Sequence, residues 1–313
     1  MKVLVTGGAG FIGSHVVEEL IVKGYEVRVL DNLSTGRLEN LKNVEETVEV
    51  IIGNVRDYGK VLEAVNGVDA VIHEAALASV TRSIEDPLTV NQVNLEGTLN
   101  LLKACVELGV KKLIYASSSS IYGDTPTLPK REDMKPNPLS PYAVSKYAGE
   151  EFCRVFHKVY GLEAVALRYF NVYGPRQQYG PYSGVITIFI NRLLNGQPPI
   201  IFGDGEQTRD FTYVKDVAEA TVKALEANQV GGEAINIASS SPISINNLAS
   251  LLIELMGFKE VKPLYTEPRK GDVKYSYADI HKAEALLGWK PRTSLTEGLI
   301  KTIDWFRKHF MKT

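Results

Sequence analysis

The chain begins with an apolar run and then the glycine-rich stretch Thr6-Gly7-Gly8-Ala9-Gly10-Phe11-Ile12-Gly13. The run, residues 2–6, is typical of a buried parallel strand, and apolar residues at helical spacing follow the glycines as far as Gly24. A tight turn between such a strand and helix points the first N–H groups of the helix at a bound pyrophosphate. The stretch therefore predicts a dinucleotide-binding turn.

The glycines and a later acid have separate roles in this pattern. Gly7 permits the tight turn, Gly10 lets the backbone approach the phosphates, and Gly13 lets helix and strand pack closely. A second apolar strand, residues 26–30, ends in Asp31. A carboxylate there accepts hydrogen bonds from ribose hydroxyls and repels a 2′-phosphate, so the pattern favours NAD over NADP.

Composition limits the class of protein. With 313 residues, 44% of them hydrophobic, the chain can form one large core or two smaller ones. The formal net charge is −2 and there is no long Lys/Arg run, so we expect neither nucleic acid nor a membrane as partner. No apolar stretch approaches membrane-spanning length and the chain starts directly with the nucleotide strand, so we expect a cytoplasmic protein without a signal peptide.

The residues that most often bind metals do not form a pattern here. The two cysteines, Cys105 and Cys153, lie in helical stretches and are expected to be buried free thiols. The five histidines show no metal-ligand spacing with each other or with cysteine. We therefore predict no metal site.

Strand and helix patterns alternate through the first half of the chain. Further strands are expected at residues 48–52, 70–73, 112–116 and 164–168, and helices at residues 87–107 and 141–160. This alternation predicts an α/β fold with a doubly wound parallel sheet of the Rossmann type and a smaller C-terminal substrate lobe. We expect an NAD-binding domain of residues 1–170 plus about 205–245, in which a short strand at 234–238 returns to the sheet. The lobe is then about 171–204 plus 246–313.

Tyr142 and Lys146 lie four residues apart and so project from one face of the predicted helix. This spacing alone also arises by chance. The serine run at residues 117–120, however, follows a predicted strand at the end where ligands bind in this architecture. A serine there can bond a substrate oxygen while Tyr142 moves its proton; the alternative is a polar loop that caps the strand. Lowering a tyrosine pKa from about 10 by about three units takes roughly 4 kcal/mol, which we expect Lys146 and a positively charged nicotinamide to supply.

Segments along the chain match, in order, the motifs of one enzyme family: residues 7–13, 31–36, 94–98, 118–123, 140–146, 167–171, 209–211 and 269–272. On these segments the chain resembles the extended short-chain dehydrogenase/reductase family, and within it the UDP-hexose 4-epimerases. The resemblance runs from the first strand to the C-terminal region. It implies NAD as cofactor and a UDP-sugar as substrate.

The resemblance also implies which residues form the site. For NAD these are Gly7, Gly10, Phe11, Ile12, Gly13, Asp31, Asn32, Leu33, Ser34, Thr35, Gly36, Asn54, Val55, Ala75, Ala76, Leu77, Asn94, Tyr142, Lys146 and Phe170. For the UDP-sugar they are Ser118, Ser119, Ser120, Asn171, Val185, Phe202, Arg209, Arg269, Asp272 and Ser276. The implied catalytic residues are Tyr142, Lys146 and Ser118. Asn54 is a departure, since an Asp that contacts the adenine amino group is common there, but its amide oxygen can accept the same bond.

The reaction implied by the resemblance is epimerisation at C4 of UDP-glucose and UDP-galactose. The related 4,6-dehydratases carry an Asp-Glu pair after the catalytic Ser/Thr, where this chain has Ser119 and Ser120. UDP-glucuronate decarboxylases usually carry a Glu in this segment, and epimerase-reductases use an added Cys and His pair. UDP-glucuronate epimerase or decarboxylase activity and 4,6-dehydratase activity stay open as alternatives, as does a non-catalytic NAD-binding sensor.

Ser276 bears on which sugars react. Strict UDP-glucose/galactose enzymes resemble one another in a bulky Tyr at this position, whereas a small residue admits an N-acetyl group beside C2. The resemblance therefore implies that UDP-N-acetylglucosamine and UDP-N-acetylgalactosamine also react. The alternative is an ordinary surface serine in a lobe that closes this space by other means. The helices at 87–107 and 141–160 imply a homodimer, although the sequence does not separate that role from burial against the sheet.

Overall fold

The computed structural model describes residues 1–180, 183–268 and 273–310. The β-strands are Lys2–Thr6 (β1), Glu26–Asp31 (β2), Val48–Ile52 (β3), Ala70–His73 (β4), Lys112–Ser118 (β5), Glu163–Tyr169 (β6), Val172–Tyr173 (β7), Ile200–Phe202 (β8), Thr208–Asp210 (β9), Thr212–Tyr213 (β10), Ala234–Ile237 (β11), Pro242–Ser244 (β12) and Leu264–Thr266 (β13). The α-helices are Phe11–Val22 (α1), Tyr58–Val65 (α2), Val80–Glu85 (α3), Pro87–Asn91 (α4), Gly97–Glu107 (α5), Pro141–Tyr160 (α6), Val185–Leu194 (α7), Val214–Glu226 (α8), Ile245–Met256 (α9), His281–Leu287 (α10) and Leu295–Phe310 (α11). Shorter helical turns are the 3-10 segments Leu38–Thr47 and Ser119–Tyr122 and the π segment Gln92–Glu96.

The central sheet has seven strands in the order β11-β6-β5-β4-β1-β2-β3, and every neighbouring pair is parallel. The expected doubly wound sheet is confirmed, and β11 joins it beside β6 as predicted. The strand order reverses between β1 and β4, which begin the two halves of the sheet. Ligands of such sheets bind at this reversal, outside the carboxyl ends of the strands.

Helices cover both faces of the sheet. On one face, α1 and α8 pack in a core that includes Val16 and Val217. On the other face, α2, α5 and α6 pack in a core that includes Val61 and Leu101. Both cysteines lie in this second core as buried free thiols, as predicted.

A third core joins α7, α9 and α11 and includes Phe189, Leu252 and Phe306. These three helices lie in the segments expected to form the smaller lobe, and the division into two domains stays a prediction. Trp289, which follows α10, instead packs in the first core and donates a hydrogen bond to the backbone oxygen of Asp216 in α8 (3.1 Å). Residues 281–289 thus pack in the first core beside the central sheet, although they fall within the segment expected to form the lobe.

The expected helix at residues 87–107 is interrupted by a wider turn. It runs through α4, the π segment and α5, and the chain keeps helical backbone angles at the junctions. Single π turns of this kind occur within α-helices and are frequent near functional sites. No helix among the described residues is long and apolar enough to cross a membrane. The same residues hold no group of three or more His, Cys, Asp or Glu that could bind a metal.

Candidate active site

Two adjoining clefts open at the carboxyl ends of the central strands. The first has a volume of about 220 Å³ and lies against the glycine turn. The second has a volume of about 650 Å³ and lies against the start of α6 and the serine run. Residues lining both clefts are Phe11, Ile12, Glu74, Ala76 and Ala78. The two clefts therefore form one continuous site.

The glycine turn leaves no room for side chains. Gly7 has a φ of +70°, and a Cβ added to it lies 2.7 Å from the backbone nitrogen of Ala75. A Cβ added to Gly13 lies 2.2 Å from the backbone oxygen of Gly7. Helix α1 begins at Phe11, and no side chain of the described residues caps it. The N–H groups of its first turn are thus available to an anion in the first cleft.

Asp31 lies at the end of β2 with its carboxylate fixed in the first cleft. Its two oxygens accept hydrogen bonds from the backbone N–H groups of Ala9 (3.0 Å) and Leu33 (2.8 Å). Burial raises the pKa of Asp31, and these two hydrogen bonds oppose the rise. The fixed Asp31 carboxylate fits the ribose of a dinucleotide, and the uncapped N-terminus of α1 fits its pyrophosphate.

Most residues expected at the cofactor line the first cleft. They are Gly7, Gly10, Phe11, Ile12, Gly13, Asp31, Asn32, Ser34, Thr35, Asn54, Val55, Ala75, Ala76 and Leu77. Leu33 packs against the first core, and a Cβ on Gly36 lies 2.8 Å from the Asp31 carboxylate oxygens, so these two residues support the cleft from behind. Gly53, Glu74, Ala78 and Val93 also line the cleft and were not anticipated.

Asn94 and Phe170 do not line either cleft. The Asn94 side chain is buried, accepts from the N–H of Leu77 (2.8 Å) and donates to the Ser145 hydroxyl (3.1 Å). It therefore ties the loop after β4 to α6. Phe170 is fully buried and packs with Ile121 and Tyr122. Any contact of these two side chains with NAD remains a prediction.

Tyr142 and Lys146 lie one turn apart near the start of α6 and both line the second cleft. The helix starts sharply there because Pro141 occupies its first position and the Ser140 hydroxyl accepts from the N–H of Ala143 (3.1 Å). Ser118, at the end of β5, lines the same cleft and hydrogen-bonds Tyr142. The structure thus brings the three expected catalytic side chains together.

The surroundings of Tyr142 act on its pKa in opposite directions. Burial raises the pKa of Tyr142, the hydrogen bond from Ser118 lowers it, and Glu74 raises it. The Lys146 ammonium donates to the backbone oxygen of Ala116 (2.8 Å), and burial lowers the pKa of Lys146 to about 8. Burial thus disfavours the phenolate, and the expectation that Lys146 and a bound nicotinamide together lower the tyrosine pKa stays a prediction.

The residues expected at the sugar nucleotide divide into three groups. Those that line the second cleft are Ser118, Ser119, Ser120, Asn171, Arg209 and Ser276. Val185 begins α7 and Phe202 ends β8, and neither lines the cleft. Arg269 and Asp272 lie outside the described residues. Tyr122 and Gln177 also line the second cleft and were not anticipated.

Asp210 holds the segment that carries Ser276. It is fully buried and accepts from the N–H groups of Ala278 (3.1 Å) and Ser239 (2.9 Å). The N–H of Lys130 donates to the backbone oxygen of Tyr277 (2.8 Å). Ser276 is thus fixed in the cleft wall by hydrogen bonds of the residues that follow it.

Comparison with known proteins agrees with this geometry. Residues 3–238 match the NAD dependent epimerase/dehydratase family. The putative UDP-glucose 4-epimerase of Methanocaldococcus jannaschii is 43% identical, over 98% of this chain and 99% of its own length. The UDP-glucuronate 4-epimerase of Thermodesulfobacterium geofontis is 42% identical, over 98% of this chain and 96% of its own length.

Two solved structures superpose closely. One is a UDP-N-acetylglucosamine 4-epimerase from Methanobrevibacter ruminantium in complex with UDP-N-acetylmuramic acid (TM-score 0.94, 41% identity, 98% of each chain). The other is a UDP-glucose 4-epimerase from Thermotoga maritima with UDP-glucose (TM-score 0.94, 42% identity, 99% of this chain and 100% of that chain).

Proposed function

The chain belongs to the NAD dependent epimerase/dehydratase family, and we propose that it is a UDP-hexose 4-epimerase that interconverts UDP-glucose and UDP-galactose. The observation that carries the proposal is the meeting of Tyr142, Lys146 and Ser118 in a cleft that adjoins the dinucleotide cleft. Relatives that cover almost the whole chain carry this activity in their names. Ser119 and Ser120 support epimerisation over 4,6-dehydration, because neither side chain can act as an acid or base at neighbouring carbons.

NAD is the cofactor, and when bound it would supply a reversible hydride acceptor for C4 of the sugar. The glycine turn, the uncapped start of α1 and Asp31 would hold its pyrophosphate and ribose. Tyr142, as phenolate, accepts the proton of the 4-hydroxyl group, and Ser118 bonds the same oxygen. Lys146 stands one turn away and donates to the end of β5, which holds its ammonium group in place.

Return of the proton from Tyr142 completes the cycle on the other face of the sugar. Proton and hydride leave the sugar and both come back, so the reaction has no net oxidation. The sugar turns about its phosphate linkage between the two halves, while Asn171 and Arg209 in the second cleft hold the uridine diphosphate. This requires firm binding of the nucleotide and loose binding of the sugar.

The substrate range extends to N-acetylated sugars in this proposal. Ser276 lines the second cleft together with Ser119 and Ser120, so small side chains stand where a bulky residue would close the space. A structural relative is named as a UDP-N-acetylglucosamine 4-epimerase. We propose UDP-N-acetylglucosamine and UDP-N-acetylgalactosamine as further substrates.

The test is turnover by the purified protein without added NAD. UDP-galactose and UDP-N-acetylgalactosamine should both be epimerised, and NAD should be released when the protein is denatured. UDP-glucuronate serves as the third substrate, because a relative is named for it. Preferred turnover of UDP-glucuronate would favour the alternative reaction. Bound NAD without turnover of any UDP-sugar would favour a sensor.

The proposal includes a cytoplasmic homodimer that serves galactose metabolism. Exposed apolar side chains lie on the helical segments expected at the interface: Leu88 on α4 is 76% exposed, and Val144 on α6 is 51% exposed. The two buried free thiols suit a reducing compartment.

A further inference from the structure

Glu74 is an acid in the site to which the mechanism above gives no role. It directly follows β4, and its N–H donates to the backbone oxygen of Thr6 at the end of β1 (3.1 Å). It therefore stands where the strand order of the sheet reverses. Its side chain lines both clefts, at the place where they join.

A chain of hydroxyl groups leads away from this carboxyl group. The Tyr169 hydroxyl lies 2.7 Å from Glu74 Oε1 and 2.7 Å from Thr221 Oγ1. The Thr221 hydroxyl donates to the backbone oxygen of Val217 (2.8 Å). Each of these three contacts needs one proton, and the two hydroxyl groups supply two.

The missing proton distinguishes two forms of the site. A neutral Glu74 donates to Tyr169, which donates to Thr221, and all three contacts are then satisfied. An ionised Glu74 accepts a hydrogen bond from the Tyr169 hydroxyl. The Thr221 hydroxyl must then donate either to Tyr169 or to the backbone oxygen of Val217, and one of the three contacts lacks a proton. Burial raises the pKa of Glu74 to about 7, while the Tyr169 hydrogen bond and the charge of Lys146 oppose the rise. Both forms are thus accessible near neutral pH.

Few titratable groups of the described residues face Glu74. Helix α6 contributes Tyr142 and Lys146, and β6 contributes Tyr169. His73 precedes it on β4, where burial and Lys146 lower its pKa to about 3 and keep it uncharged. The start of α1 contributes the apolar Phe11 and Ile12, and α8 contributes Thr221. The charge of Glu74 therefore acts chiefly on the Tyr142–Lys146 pair.

We propose that Glu74 is a positioning residue of the epimerase site, whose carboxyl group changes between a neutral and an ionised form and so sets how readily Tyr142 gives up its proton. The inference deepens the proposed function and rests on it. Ionised Glu74 raises the pKa of Tyr142, because a second negative charge nearby disfavours the phenolate. As pH rises, ionisation of Glu74 opposes ionisation of Tyr142, which broadens the acid limb of the activity profile.

The test uses Glu74→Gln, which keeps the size and hydrogen-bonding shape of the side chain but carries no charge. Two quantities are measured on protein purified with its bound NAD. One is the pH dependence of kcat/KM for UDP-galactose. The other is spectrophotometric titration of the phenolate, with Tyr142→Phe subtracted. Both midpoints should move to lower pH by about one unit, because the negative charge that opposes formation of the phenolate is removed.

Two further variants sharpen the result. Tyr169→Phe removes a hydrogen bond that favours ionised Glu74, so Glu74 stays neutral to higher pH. The Tyr142 midpoint should then move in the same direction by a smaller amount. Glu46→Gln changes an exposed glutamate that lines neither cleft and should leave both midpoints unchanged.

Unchanged midpoints in Glu74→Gln would overturn the inference. So would a uniform loss of kcat at every pH without a moved midpoint, since a merely structural residue gives that result. The phenolate titration needs no sugar nucleotide. The titration therefore tests the effect of Glu74 on the Tyr142 pKa even if no UDP-sugar reacts. Absence of turnover in the unaltered protein contradicts only the epimerase proposal.

Discussion

At the scale of single residues, the proposed reaction requires Tyr142 to lose its proton in a buried site. The polypeptide alone disfavours its phenolate, since burial raises its pKa and only Ser118 acts in the opposite direction. We therefore expect a bound cofactor to supply part of the positive charge that favours proton loss. This couples the activity of the base to occupancy of the neighbouring cleft.

Replacement of Tyr142 by Phe should lower kcat for UDP-galactose by about 10² to 10⁴-fold, because the proton carrier is lost. The NAD bound per chain should not change, since the glycine turn is untouched. Tyr147→Phe is the control, a tyrosine on the same helix that packs against a hydrophobic cluster rather than lining the cleft. Full activity of Tyr142→Phe would place the base elsewhere.

Ser276→Tyr tests the substrate range. A phenol ring in the second cleft should fill the space beside C2, so turnover of UDP-N-acetylgalactosamine should fall below detection while UDP-galactose still reacts. The comparison is the ratio of kcat/KM for the two substrates. Ser241→Tyr, at an exposed serine, should preserve that ratio. Equal loss with both sugars would contradict the role of Ser276.

Residues whose role follows from local chain geometry could be predicted. Gly13 and Asp31 have their places because of the strand and turn beside them. Glu74 also stands at the end of a predicted strand, but its importance depends on Tyr169, 95 positions later. Such contacts cannot be read from a single sequence, and neither could the full burial of Phe170 behind the site.

At the scale of elements, the turn between β1 and α1 decides whether a cofactor can bind. Gly13→Ala should abolish retention of NAD, because the added Cβ lies 2.2 Å from the Gly7 oxygen and the turn must open. The measurement is NAD content after purification and gel filtration. Gly180→Ala, whose Cβ meets open space, should retain NAD. An NAD-bound Gly13→Ala protein would show that the close approach is not needed.

A buried ion pair joins α6 to β6 behind the catalytic face. Glu150 accepts from Arg168 Nε (3.1 Å) and from the Ser117 hydroxyl (2.9 Å), and Arg168 also donates to the Tyr122 hydroxyl (2.7 Å). The arginine and the glutamate are 3% and 5% exposed. The pair therefore ties the serine run to the helix that carries Tyr142.

Glu150→Ala should lower the free energy of unfolding by about 3–5 kcal/mol, because it leaves the Arg168 charge buried and unpaired. Glu151→Ala is the matched control on the next residue, where the ion pair with Arg154 is exposed and solvent screening leaves it little effect on stability. Denaturant unfolding measures both. A cost for Glu150→Ala no larger than that for Glu151→Ala would contradict the structural importance of the pair.

The strands were the most predictable elements. β1, β3 and β4 have the expected bounds, because a short apolar run between polar turns is typical of a buried strand in a parallel sheet. The π segment at Gln92–Glu96 was missed, since its cause is tertiary: Asn94 turns inward to bond the backbone of Leu77. Helical periodicity contains no signal for such a contact.

At the scale of the whole molecule, the proposed homodimer explains why α4 and α6 carry exposed apolar side chains. Leu88→Glu combined with Val144→Glu should convert a dimer to a monomer, because charged residues would be buried at the interface. Light scattering after size exclusion gives the mass. Val22→Glu, at the exposed end of α1, is the control. An unaltered protein that is monomeric at every concentration would contradict the assembly.

The division into two lobes stays a prediction that rests on the loss of regular alternation after Asn171. Trp289 and helix α10 before it pack on α8 in the first core. No local feature of that segment predicts this packing. The position of the sugar cleft could be placed at the carboxyl ends of the strands by topology alone. Its walls needed the structure, because they come from distant parts of the chain.

The central claim is that the hydrogen removed from C4 is carried within the site and returned to the same carbon. The most direct measurement uses UDP-galactose deuterated at C4, with purified protein and no added NAD. We expect the UDP-glucose formed to keep its deuterium at C4 and to gain no hydrogen from solvent at that carbon. Product with hydrogen from water at C4 would contradict it.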